Sequence, residues 1–185
     1  MIKSNASKDR ESSPFFIENR DICEFWENYI SEKGGKSSGE YTAWALSFNG
    51  KFTTQYQWVI KLKKATFSNG GLLISADKNI FKQTTFITDN TDRFSQDFII
   101  RKSNWLDILR SKINPLKLWK SYVVIGTENQ DNLKELTSAL SDLFSNKKVK
   151  SVSYSKTDKQ LEIHIHQLVT DKRIIDQIVN FTSKK

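Results

Sequence analysis

The chain has 185 residues, a formal net charge of +8, 12% aromatic residues and a single cysteine. That length fits one domain with a sizeable core, and one cysteine excludes an intrachain disulfide framework. No apolar run approaches the roughly 18 residues of a transmembrane helix, and two prolines with seven glycines exclude a fibrous or low-complexity chain.

Residues 1–14 lack hydrophobic periodicity and read as a mobile tail. The opening MIKSNASKDRESS carries no apolar stretch of the secretory kind. With the lone cysteine, this leans towards a reducing, cytoplasmic setting. Residues 15–185 read as a single α+β domain, with a split near 115 as the alternative. From Asp21 the pattern is helical: Ile22, Phe25, Trp26, Tyr29 and Ile30 form one stripe. Cys23 lies beside that stripe among Asp21, Glu24 and Glu27, which oppose thiolate formation, so it reads as structural. Gly34 and Gly35 end the helix, and GGKSSGE reads as a loop.

Asn49-Gly50 between alternating runs predicts a tight hairpin turn. Trp44, Leu46 and Phe48 before it, and Phe52, Trp58, Ile60 and Leu62 after it, mark a buried aromatic face. Lys51, Gln55, Gln57, Val59 and Lys61 alternate on the other face. Asn69-Gly70-Gly71 then turns into Leu72–Ser75, giving a three-stranded meander over 41–76. Thr84–Thr88 and Phe98–Arg101 are shorter strand candidates. Ser103 or Asn104 is placed to cap a helix over 104–113 with Trp105, Ile108, Leu109 and Ile113 on one side, stopped by Pro115.

The last third reads βαββα. Tyr122–Ile125 is a strand, and Asp131 or Asn132 caps a helix carrying Leu133, Leu136, Leu140, Leu143 and Phe144. Val149–Ser155 and Gln160–Val169 form a hairpin, and Asp171 caps a final helix. The fold class is therefore α+β: an N-terminal helix, the meander, then β-α-β-α-β-β-α, with a mainly antiparallel sheet covered by helices on one face.

Charge is the main functional signal. Residues 51–120 hold thirteen Lys/Arg against five Asp/Glu, a net of +8, while 1–50 net −2 and 121–185 net +2. Within 101–120, Arg101, Lys102, Arg110, Lys112, Lys117 and Lys120 face a single acid, with Trp105 and Trp119 among them. Such a segment suits an anionic partner. An acidic protein surface is the first reading, in the manner of an inhibitor, immunity or adaptor protein that performs no catalysis. A nucleic acid, with Trp105 or Trp119 stacking, is the alternative. An anionic membrane surface is a third, through a basic amphipathic helix. The bland counterpart is a solvated helix whose tryptophans belong to the core.

Glycine-rich phosphate loops and nucleophile elbows are missing from the sequence. The remaining catalytic candidates are Glu162, His164 and His166 on one face of a strand, a pattern that could serve a small metal- or His-dependent hydrolase. Two imidazoles and one carboxylate fall short of a specific metal set, so neither a metal nor any other cofactor is expected.

Overall fold

The structure, a computed structural model, describes residues 2–6, 8, 11–67, 79–89, 93–109, 114–116 and 119–183. Helix α1 spans Pro14–Glu32. It starts seven residues before Asp21, because Pro14 occupies its first turn, where a missing N–H costs nothing. Its end is a Schellman motif: Gly34 (φ 68°) donates to the Ser31 carbonyl at 2.8 Å and Gly35 to that of Ile30 at 2.9 Å.

The strands are β1 (Ile2–Ser4), β2 (Lys36–Tyr41), β3 (Ala45–Thr53), β4 (Gln57–Phe67), β5 (Asn79–Thr88), β6 (Phe98–Lys102), β7 (Asn114–Leu116), β8 (Trp119–Gly126), β9 (Val149–Ser155) and β10 (Gln160–Ile165). They make one sheet in the order β1-β2-β3-β4-β5-β10-β9-β6-β8-β7. Among the described residues only β1 pairs in parallel, with β2, and every other pairing is antiparallel. Both edge strands are three residues long, and β7 contains Pro115, which an edge strand tolerates.

Several expectations need correction. The segment read as a tail contains β1, and the segment read as a loop after Gly35 contains β2. Asn49-Gly50 is not a turn. Strand β3 runs straight through it, with Asn49 opposite Lys61 and Gly50 opposite Ile60, and the chain reverses at residues 54–56. Gly50 is required for close approach: a Cβ there would lie 2.8 Å from Ile30 Cγ1 and 2.9 Å from Phe48 Cε1. The strand expected at Leu72–Ser75 lies outside the described residues, and β2 to β5 form a four-stranded meander. Of the helix expected over 104–113, Trp105–Leu109 is a 3-10 turn and residues 110–113 lie outside the described residues. The helix expected over 131–144 is two pieces, α2 (Gln130–Ala139) and α3 (Ser141–Ser145), and Asn129 is the cap, its side chain accepting from Asp131 N at 2.8 Å. The closing hairpin is present as β9 and β10, with Lys159 at φ 51° in its turn, but β10 ends at Ile165, short of the expected Val169. Helix α4 (Lys172–Ser183) starts where Asp171 accepts from Arg173 N at 2.9 Å.

All four helices pack on one face. Cys23, Trp26 and Ile30 of α1 share a single core with Leu46, Phe48, Trp58, Ile60 and Leu62. Leu133 and Leu136 of α2, Leu143 and Phe144 of α3, and Ile175 and Ile178 of α4 join that core over Phe98, Ile100, Val152 and Tyr154. Each such side chain contributes about 1.5–3 kcal/mol through burial. Polar bonds join the helices: Trp26 Nε1 donates to the Val169 carbonyl at 2.9 Å, and Tyr29 hydroxyl to Asp176 at 3.0 Å. Buried Lys64 donates to Asn19 at 2.7 Å and Glu18 at 2.9 Å, pinning α1 to β4. Among the described residues no helix is long and apolar enough to cross a membrane.

Candidate functional site

The strand register decides which side chains stand on the opposite, helix-free face. Core residues alternate with Lys51 on β3 and with Lys61 and Lys63 on β4, and pairing with Lys51 puts Lys36 of β2 on the same side. Lys36 is the direct cross-strand partner of Lys51. One line of partners then crosses the sheet: Asn49, Lys61, Thr85, His164, Ser151 and Arg101. At about 4.8 Å per strand, the path from β2 to β6 covers roughly 29 Å.

The exposed lysines Lys36, Lys51, Lys61 and Lys63 form no ion pair with any described residue; the paired lysines are Lys64, Lys82 and Lys172. Like charges placed directly opposite on a sheet destabilise it by about 0.2–1 kcal/mol relative to a neutral pair. The sequence reading placed the functional charge at 101–120 and passed over these four. The alternation that assigned Phe52, Trp58, Ile60 and Leu62 to the core also assigned Lys51 and Lys61 to the reverse face. What alternation could not supply was their alignment with Lys36, because β2 has no hydrophobic pattern of its own.

Of the cations expected to bind a partner, Arg101 forms a bidentate pair with Asp107, at 2.7 and 2.6 Å. That pair, with Asn104 N donating to Asp107 at 2.7 Å, folds the 3-10 turn beside β6. The turn presents Trp105 to solvent at 73% exposure, so this indole is not a core residue. Lys102 is exposed at the end of β6. Arg110, Lys112 and Lys117 lie outside the described residues. Lys120 is placed by its backbone in β8, and its side chain lies outside the description.

Lys102 has two unforeseen neighbours. Lys150 is the extra residue of a bulge where β9 pairs with β10, since His164 opposes Ser151 while Ile165 opposes Val149. His166 follows β10 and donates its backbone N–H to the Lys148 carbonyl at 2.8 Å. Burial lowers the His166 pKa, and the charges of Lys102 and Lys150 lower it further. Lys102 and Lys150 thus stand near His166 at the Trp105 end, and their charges favour its neutral imidazole.

Beyond Lys61 on the cross-sheet line lies a polar string. Glu162 carboxylate can only accept, so His164 Nε2–H donates to it at 3.1 Å, and Nδ1 accepts from the Thr85 hydroxyl at 3.1 Å. Thr85 in turn accepts from Gln83 at 2.9 Å. Carboxylate, imidazole and hydroxyl stand in the order of a nucleophilic triad. Yet Thr85 is only 5% exposed in mid-strand, and the backbone N–H groups around it belong to the sheet ladder, which leaves no oxyanion donors beside it. Among the described residues no three His, Cys, Asp or Glu side chains gather into a metal set, and His166 stands apart from the Glu162–His164 pair. Cys23 is buried, and its thiol is pushed up to about 12 by burial, then by Glu27 and Glu24.

The far corner of the same face is different in character. A cleft of about 420 Å³ is floored by Ile99 and Ile125 and rimmed by Asp97, Asp158 and Glu162. The face is thus cationic along β2–β4, and acidic and apolar at the β9–β10 turn; Lys102 has the strand parity of Phe98 and Ile100 and is not part of it. No protein-family model, no curated protein and no solved structure matches this chain.

Proposed function

We propose that this chain acts by binding, without catalysis, and that it takes a negatively charged macromolecule on the helix-free face of its sheet. One observation carries the reading: Lys36, Lys51, Lys61 and Lys63 stand exposed together without carboxylate partners among the described residues, two of them directly opposed. A sheet that keeps like charges facing each other gives up stability that a single Glu would restore. An external anion recovers it. Trp105, on the turn that Arg101 of this face holds through Asp107, extends the surface towards the segment that the sequence singled out. The amphipathic helix that a membrane-binding role requires is supported less well, since Trp105–Leu109 forms only a short 3-10 turn.

The test replaces Lys36, Lys51, Lys61 and Lys63 together with Ser and measures binding of model polyanions, poly-L-glutamate and mixed-sequence oligonucleotides, as salt is raised. The native chain is expected to bind at least one of them at low salt, with affinity falling as salt rises. The variant is expected to bind more weakly and with a shallower salt dependence. Equal binding by the two proteins refutes the proposal.

A further inference from the structure

We infer that the macromolecule is a single-stranded nucleic acid, whose backbone crosses the strands from the β2–β4 lysines to Trp105. The inference rests on the reading of this face as an anion-binding surface and asks which anion fits it.

Protein–protein interfaces bury aromatic and arginine anchors at their centre and are depleted in lysine there. The cationic field here has the reverse composition. Its charges are lysines, with Asn49 directly opposite Lys61, and the line beyond Lys61 continues through the half-buried His164 and Ser151. Arg101, on the same line, is committed to Asp107. Lysine charges with interspersed amide and hydroxyl groups suit a repeating phosphate–sugar chain, which is held by the same side-chain types. Lys61 and Lys63, two residues apart on one strand, stand about 6.6 Å apart, and neighbouring strands add about 4.8 Å. The cations therefore form a ladder along which a flexible backbone can be followed.

Trp105 distinguishes single strands from duplexes. It stands 73% exposed on a turn anchored by the Arg101–Asp107 pair, beyond Lys102 and near the end of the path. An unpaired base can stack on such an indole, and a base inside a duplex cannot. The acidic corner sets the boundary. Asp97, Asp158 and Glu162 repel phosphates, which keeps the strand on the Lys61–Lys63 side of the sheet.

The test uses fluorescein-labelled DNA and RNA single strands of about 12 nucleotides, within the range of known single-strand sites, with the matching duplex and poly-L-glutamate as comparisons. Single strands are expected to bind best. The four-lysine Ser variant is expected to lose at least tenfold in affinity, with the log–log salt slope shallower by about 3, from roughly 0.7 per phosphate contact. Trp105→Ala is expected to weaken single-strand binding roughly tenfold and leave the salt slope unchanged. The four-lysine variant is expected to melt no lower than the native chain, because a like-charged cross-strand pair is removed, so lost binding does not reflect lost fold. Poly-L-glutamate binding through the four lysines, without single-strand binding, overturns this inference and leaves the broader reading intact. Single-strand binding that ignores the four lysines overturns it also. Indifference of every polyanion to the four lysines overturns both.

Discussion

The junction of α1 with β4 offers a sharp test of how the covered face is held. Asn19 is fully buried, donates to the Thr42 carbonyl at 2.7 Å, and accepts from Lys64 Nζ at 2.7 Å. Asn19→Ala removes both bonds while leaving the ammonium of Lys64, 3% exposed, in place. A hydrogen bond to a charged group is worth about 1.5–3 kcal/mol and a neutral one about 0.5–1.5 kcal/mol. The expected loss is therefore about 3 kcal/mol. For a chain of this size that is a fall of roughly 6–12 °C in melting temperature. Lys64→Met is the informative contrast. It removes the charge whose burial is costly, keeps the apolar stem, and leaves Glu18 paired with Lys82 at 3.3 Å. The Asn19 carbonyl loses its partner, and the half-exposed Glu18 exchanges its bond from Lys64 for water, so the expected loss is about 1 kcal/mol. Urea unfolding followed by tryptophan fluorescence separates the two variants. Glu18 adds a pH signature. The hydrogen bond from Lys64 lowers its pKa, burial opposes this, and the charges of Lys64 and Lys82 add to the lowering. A carboxylate depressed on folding contributes stability that is present above its unfolded pKa and lost as pH falls through the folded one. Lys64→Met should therefore flatten the acid limb of the stability curve. A Lys64→Met variant as damaged as Asn19→Ala, or an Asn19→Ala loss below about 1 kcal/mol, would refute the reasoning.

Two further outcomes are expected. Gly50→Ala should cost about 1–2 kcal/mol, since the new methyl meets fully buried Ile30, whose overpacking outweighs the entropy gained in the unfolded chain. An Ile30→Val background should shrink that loss in a double-mutant cycle, and an unchanged loss would place the strain elsewhere. NMR titration should find the His166 pKa below the usual histidine value, and replacing Lys102 and Lys150 with Gln should move it upward. Because folding depresses this pKa, the neutral imidazole suits the native state, and stability should decline as pH falls through the unfolded value near 6.5. A His166 titration indifferent to both lysines would separate them from it.

The parts of this fold legible in the sequence are those whose signals are local. β9, β10 and α4 announce themselves through alternation, the Lys156–Lys159 turn and the Asp171 cap. β2 was illegible, because KSSGEY has no hydrophobic rhythm; it is a strand because β3 offers it a paired edge along its whole length. Asn49-Gly50 misled for a physical reason. Glycine serves a tight turn and a close helix approach equally well, and only the position of Ile30 tells which is at work. The 104–113 periodicity was real, but Asn104 and Arg101 both bind Asp107 and wind the start of that segment into a 3-10 turn. The lysine field was half legible. Which face Lys51 and Lys61 occupy follows from alternation, but their alignment with Lys36 and the line through His164 depend on pairing between distant segments, which no local pattern encodes.

The two short outer strands have a consequence for behaviour in concentrated solution. A broad sheet with long, straight borders is a template on which further copies can grow by main-chain pairing. Here the template runs out on both sides. One border holds a proline with no amide hydrogen to give, and the other is a three-residue parallel addition that masks Gly39 to Tyr41 of the strand within. The molecule can thus keep a wide helix-free face while offering its own copies little of the edge from which fibrils are built.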